Sequence, residues 1–150
     1  MDARLSYREA AARGATPVKL VVLLYEQALD DLRRALSALK AGEIEERTRR
    51  INHAITVIGQ LHASLDLEQG GSVARNLERF YGLVRRGLME AQFQQSARAL
   101  EEQISCLLLV REAWYEVERA AVADHSSAQQ PPAPAVSAVS LKEDPADWSA

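Results

Sequence analysis

The side chains best suited to metal or nucleophilic chemistry are three histidines and one cysteine: His53, His62, His125 and Cys106. A di-iron site in a helical bundle needs inward-facing glutamates and Glu-x-x-His pairs. No histidine here has a glutamate three residues before it, and the sequence has no Cys-x-x-Cys pair and no phosphate-binding glycine loop. We therefore expect no catalytic constellation, no metal and no cofactor, and hence a protein that is not an enzyme.

His53 and Cys106 each leave an alternative open. A phosphotransfer bundle carries an exposed histidine on a long helix, followed by a lysine and a small glycine, but Thr56 and Val57 stand where those residues are expected. We interpret His53 as a solvent-facing or boundary residue and keep a histidine phosphotransfer bundle in signalling as an alternative function. Cys106 is most simply a small residue near a helical core, with a reactive thiol as the alternative, and a single cysteine excludes an internal disulfide framework.

The stretch 61–81 predicts how the chain positions its side chains. Within this stretch, the apolar residues Leu61 and Leu65 lie four apart, and so do Val73 and Leu77 further along. Gly70-Gly71 interrupts the pattern between them, because glycine adopts backbone angles that other residues avoid. The stretch therefore predicts two antiparallel helices joined by a tight turn.

The same periodicity covers most of the chain. Thr16-Pro17 is a cap and first-position signal, Gly42 is a stop signal, and Ser96 is a plausible cap. The predicted helices run over about Pro17–Lys40, Ile44–Asp66, Ser72–Gln92 and from Ser96 to Ala121. We predict an all-α fold, an antiparallel up-down-up-down four-helix bundle over residues 16–122.

The two ends of the sequence differ from this central region. Residues 1–15 are predicted to form a short N-terminal helix or strap with a thin apolar face that includes Leu5 and Tyr7. Residues 123–150 are rich in Pro, Ala and Ser, and we predict a disordered tail. Trp148 within it is either a weak docking residue or accidental.

Composition and charge narrow the function classes. The 150 residues are 47% hydrophobic and 26% charged, which suits one small domain. No apolar run approaches the roughly 20 residues of a membrane span. The N-terminal residues lack the apolar core of a signal peptide, so we expect no secretion. The net charge of −3 falls on residues 124–150, which leaves the remainder neutral. We therefore expect a cytoplasmic protein with no nucleic-acid partner and no membrane insertion.

Several short motifs together resemble the FliS family, the cytoplasmic export chaperones of bacterial flagellin. Tyr7 lies ten residues before Pro17. The remaining matches, in order, are Ala15-Thr16-Pro17, Lys19-Leu20, Leu24-Tyr25-Glu26, Ser64-Leu65-Asp66, Gly70-Gly71, Ala74, Asn76-Leu77, Tyr81, Arg85-Arg86-Gly87-Leu88, Glu90-Ala91, Leu100-Glu101-Glu102 and Arg111-Glu112-Ala113-Trp114. The sequence departs from the family pattern at Ala12, Gly14, Gln27 and Ser72.

The resemblance implies a chaperone without catalytic activity. Its expected partners are the C-terminal segment of flagellin, which it would keep from polymerising prematurely, and a component of the flagellar export gate. An amphipathic client helix would lie in an apolar groove between helices. We expect the client-binding residues to be Leu5, Tyr7, Ile55, Ile58, Leu65, Leu77 and Tyr81. Besides the phosphotransfer bundle, a helical adaptor unrelated to flagella is a third interpretation.

Overall fold

Four long helices account for most of the residues that the structure describes. The computed structural model describes Glu9 and residues 12–123. Its helices are α1 (Pro17–Ala41), α2 (Ile44–Ala63), α3 (Gly71–Gln94) and α4 (Ala97–Ala123). No β-strand occurs among the described residues, so the predicted all-α fold is confirmed. Leu5, Tyr7, His125 and Trp148 lie outside the described residues.

The helix ends follow the local signals in the sequence. The Thr16 hydroxyl accepts a hydrogen bond from the Lys19 amide at 3.1 Å, and Pro17 occupies the first helical position. Gly42 ends α1 in the left-handed region at φ 75°. The Ser96 hydroxyl accepts from the Ala99 amide at 3.0 Å at the start of α4.

The helices form a closed square. α1 packs against α2 and α4, α2 packs against α3, and α3 packs against α4. Because the connections between consecutive helices are short, neighbours run antiparallel, and α2 ends at the same end of the bundle where α1 and α3 begin and where α4 ends. The largest fully buried side chains lie at the centre of this square: Tyr25, Leu29, Leu32, Ile51, Ile58, Leu61, Tyr81, Leu88, Leu100 and Leu107.

Two local predictions need correction. α2 ends at Ala63 rather than Asp66, because the chain turns at Ser64, whose amide donates to Gln60 and whose hydroxyl donates to Leu61. Cys106 is exposed rather than near the core.

One buried charge lies between α1 and α2. The Asp31 carboxylate is fully buried and receives hydrogen bonds from Gln27 at 3.3 Å and Arg50 at 3.3 Å. His53 Nδ1 lies 2.5 Å from the other carboxylate oxygen, and the His53 side chain remains 33% exposed. Because a buried carboxylate requires partners of this kind, the cluster fixes how α1 and α2 align. His53 is thus the boundary residue that the sequence predicted.

Candidate functional site

An apolar cleft opens at the end of the bundle where α2 turns into α3. Its cavity volume is about 190 Å³. The turn after α2 and the helices α1, α3 and α4 contribute, and the lining comprises Val21, Ser64, Leu65, Asp66, Gly70, Val73, Ala74, Leu77, Tyr81 and Trp114. We call this the hairpin cleft. Aliphatic and aromatic side chains form most of its wall, so it suits an apolar side chain of a partner better than a charged group.

A pair of hydrogen-bonded tyrosines underlies the cleft. The Tyr25 and Tyr81 hydroxyls are 2.9 Å apart, and the two side chains are 0% and 1% exposed. Burial raises the pKa of Tyr25 well above its usual range, and the neighbouring Tyr81 raises it further. Burial likewise raises the pKa of Tyr81. Both residues are therefore neutral phenols, and the hydrogen bond between their hydroxyls joins α1 to α3.

Trp114 reaches the same region from α4. Its indole N–H is buried and forms no hydrogen bond of full geometry among the described residues. It lies close enough to Tyr25 to lower the pKa of that hydroxyl, an effect smaller than the rise caused by burial. The Phe80 and Tyr81 rings pack at a centroid distance of 5.7 Å on the α3 side. Tyr81 and Trp114 therefore give the cleft an aromatic part, and Ser64 and Asp66 are its polar lining residues.

The turn that forms one wall depends on its glycines and on Asp66. Asp66 Oδ1 accepts from the amides of Glu68 and Gln69, and its carbonyl accepts from Gly70 at 2.8 Å. A Cβ at Gly70 would lie 2.5 Å from the Ala74 Cβ and 2.6 Å from the Asp66 carbonyl oxygen. Gly71 has φ 58°, in the left-handed region. Asp66 therefore stabilises the turn itself, rather than the dipole of α3.

A polar rim borders the cleft on the α2–α3 side. His62 Nε2 lies 3.1 Å from a Glu78 carboxylate oxygen, and Arg85 donates to His62 Nδ1 at 2.7 Å. In this arrangement the neutral imidazole donates through Nε2 and accepts through Nδ1. Tyr81 adds a ring contact at 6.5 Å. His62 thus links α2 to α3 beside the cleft, a role that the sequence alone did not indicate.

The structure brings together three of the predicted client-binding residues. Leu65, Leu77 and Tyr81 line the hairpin cleft, although Leu77 and Tyr81 are only 3% and 1% exposed. Ile55 is partly buried against the core and does not line the cleft. Ile58 is fully buried in the core.

Sequence reasoning did not place Val21, Val73 or Trp114 in the site. All three fit the apolar spacing of a core-facing stripe, and each is partly buried and packed against the core. Their position at the cleft results from how four helix ends meet, which periodicity within one helix does not report. An indole N–H on an otherwise apolar face was the available signal, because a buried indole usually finds a partner.

The described residues offer no metal site or membrane span. No group of three or more His, Cys, Asp or Glu side chains within residues 12–123 could hold a metal ion. None of the helices in this described region is long and apolar enough to cross a membrane.

Comparison with known families decides between the interpretations. The sequence model of a family described as "Flagellar protein FliS" matches residues 1–121. The chain belongs to the FliS family. FliS proteins are chaperones rather than enzymes, so the resemblance noted in the sequence is confirmed, and a phosphotransfer bundle and an unrelated adaptor lose their basis.

Relatives from three bacteria support this assignment. The chain is 34% identical over 110 residues to the flagellar secretion chaperone FliS of Salmonella typhimurium, covering 73% of this chain and 82% of the relative. It is 36% identical over 106 residues to the flagellar secretion chaperone FliSB of Pseudomonas aeruginosa, covering 71% and 84%. The corresponding protein of Campylobacter jejuni is 30% identical over 112 residues, covering 75% and 88%.

Proposed function

We propose that this protein binds the C-terminal segment of flagellin in the cytoplasm, prevents its premature polymerisation and helps deliver it to the flagellar export gate. The FliS family assignment supports a flagellar client. The observation that carries the proposal is the hairpin cleft, an apolar depression at the end of the bundle where α2 turns into α3. A client that exposes apolar residues on one helical face would insert one of them there.

Within this proposal the predicted residues take different roles. Leu65, with Val73 beside it, offers partly exposed apolar surface to the client. Leu77 and Tyr81 form the base of the cleft and act through its shape. Ile55 lies outside the cleft and would contact a client only if the client extends along α2. Ile58 would support the site from the core.

Residues 1–15 are proposed to act as a strap that the client displaces. Gly14 has φ 77°, a conformation that suits a hinge ahead of the capped start of α1. A second apolar cavity of about 460 Å³ lies at this junction, lined by Gly14, Ala15, Thr16, Lys19, Glu118, Ala121 and Val122. Leu5 and Tyr7 precede it in sequence and supply apolar side chains of suitable size. Deleting residues 2–13 should then raise client affinity, whereas an inert segment would leave affinity unchanged.

Calorimetric titration of the protein with the C-terminal segment of flagellin tests the main proposal. Binding should show a negative heat-capacity change and a gain of helical circular dichroism beyond the sum of the two components, since the client folds as it binds. Leu65→Gln should weaken binding at least tenfold. Leu83→Gln is the matched control, because Leu83 is 49% exposed on α3 and does not line the cleft. Equal affinities for both variants would remove the cleft from the binding site, and no binding by the unmodified protein would overturn the proposed function.

A further inference from the structure

The outward side of α3 carries a row of arginines that continues into exposed apolar residues. Arg75, Arg79 and Arg86 are exposed and follow one another at spacings of four and seven residues, so they lie on one side of the helix. Met89 and Phe93 extend the row and are 56% and 87% exposed. The buried residues of α3 lie on the opposite side. We call these five residues the α3 outer face.

The arginines of the α3 outer face are not neutralised by the bundle. Several other arginines pair with a carboxylate one turn away, such as Arg34 with Asp30 and Arg98 with Glu102. Within the part of the chain that the structure describes, Arg75, Arg79 and Arg86 form no ion pair and no side-chain hydrogen bond. Glu90, exposed one turn after Arg86 on the same side of the helix, offsets one of these three charges, so the face keeps a local excess of positive charge although residues 1–123 are neutral overall.

The complementary charge is present in the same chain. Residues 124–150 carry the whole net charge of −3. Most of the acids are close together at Glu143, Asp144 and Asp147, and the large aromatic Trp148 follows at once. We propose that residues 141–148 bind the α3 outer face, with these carboxylates against the arginines and Trp148 against Met89 and Phe93.

The chain is long enough to make this contact. Seventeen residues, 124–140, separate the end of α4 from the segment, and a flexible linker of that length spans about 20–25 Å. α4 ends at the end of the bundle where α3 begins, and the two helices are neighbours. The α3 outer face starts one turn from that end and extends about 27 Å along the helix.

Tethering explains how weak surface contacts would suffice. Exposed ion pairs are individually weak and are screened by salt. A segment held by a short linker experiences an effective concentration on the order of millimolar, so that even weak pairs are occupied. The tail would then cover the exposed apolar side chains of α3, and any other acidic segment would have to compete with it.

Nuclear magnetic resonance of the full chain tests the inference. Trp148 and Trp114 are the only indoles, so Trp148→Phe identifies the Trp148 indole signal. At low salt this signal should show restricted motion, and replacing Glu143, Asp144 and Asp147 by their amides should shift the amide signals of residues 75–93. Arg79→Gln/Arg86→Gln should give the Trp148 signal of an unrestrained indole. Arg33→Gln/Lys40→Gln removes the same charge from exposed positions on α1 and should change nothing.

Charge exchange gives the decisive comparison. Arg79→Glu/Arg86→Glu should release Trp148, and adding Glu143→Lys/Asp147→Lys should restore its restriction. Because both arginines are exposed, helical circular dichroism should be unchanged throughout. An unrestricted Trp148 in the unmodified protein would overturn the inference, as would shifts centred away from α3 or a failure of the exchanged charges to restore binding. Restriction that disappears on dilution would assign the contact to a second copy and refute the intramolecular one.

Discussion

Removing both hydroxyls of the Tyr25–Tyr81 pair should destabilise the bundle by less than the two single removals added together. The two hydroxyls are 2.9 Å apart and both rings are essentially inaccessible to solvent. Tyr81→Phe leaves the Tyr25 hydroxyl buried without its partner, and leaving a buried polar group unpaired costs about 1–3 kcal/mol. Tyr25→Phe leaves the Tyr81 hydroxyl beside the hairpin cleft, whose 190 Å³ can admit a water molecule, so its cost should be lower in that range.

The double variant supplies the refutation. Tyr25→Phe/Tyr81→Phe leaves no unpaired hydroxyl at this site, so its cost should fall below the sum of the single costs and close to that of the cheaper one. Equilibrium urea unfolding measures all four proteins, and a shift of the midpoint at constant slope reports stability alone. Costs that simply add, or single variants as stable as the unmodified protein, would show that the shared hydrogen bond does not stabilise the fold.

The same pair predicts how stability changes at alkaline pH. Because burial raises the pKa of both tyrosines in the folded state, the unfolded chain loses its phenolic protons first as pH rises. The stability from these groups is complete below the usual pKa of about 10 and is lost as pH rises toward the folded values. The slope should approach about 1.4 kcal/mol per pH unit for each tyrosine. Among the tyrosines within residues 12–123, the double variant should retain only the smaller dependence due to Tyr115, whose pKa burial also raises.

Three further predictions concern stability. Gly71→Val should lower the free energy of unfolding by about 1 kcal/mol or more through strain at φ 58°. Gly82→Ala should raise it by up to about 1 kcal/mol, because a Cβ at this helical position meets open space. A denaturation midpoint that moves in the other direction would contradict the prediction for that variant. Asp31→Ala should cost about 2–3 kcal/mol because Arg50 and His53 lose their buried partner, whereas Asp30→Ala, at an exposed pair, should cost under about 1 kcal/mol. Truncation after residue 123 should change the free energy of unfolding by less than about 1 kcal/mol, and a large fall in melting temperature would contradict this.

The elements of the fold could be predicted because their signals are local. Thr16, Gly42 and Ser96 mark helix ends through hydrogen bonds and backbone angles within a few residues. The end of α2 was misplaced because Leu65 continues the apolar period past the point where the Ser64 amide and hydroxyl bond back to the helix. Apolar periodicity alone does not show where such local hydrogen bonds end a helix before its apolar pattern stops.

The buried carboxylate was also readable in principle. Asp31 lies three residues after Ala28 and four before Ala35, and both alanines are fully buried, so the period places it on the core face. Its partners Arg50 and His53 come from another helix, and the sequence does not reveal which side chains meet across that distance. The hairpin cleft was hidden for the same reason, since it exists only where four helix ends meet.

Burial separates the residues that can report on client binding from those that cannot. Polar replacement of Ile58, Leu77 or Tyr81 buries a group without partners, so these variants should lose stability before their affinity can be measured. Leu65 and Val73 are only partly buried and line the same cleft, so their replacement should change affinity at a smaller cost in stability. Mapping the client site therefore requires the unfolding midpoint of each variant beside its dissociation constant. A Leu65 variant that loses stability and affinity together would place Leu65 in the core and move the client site elsewhere.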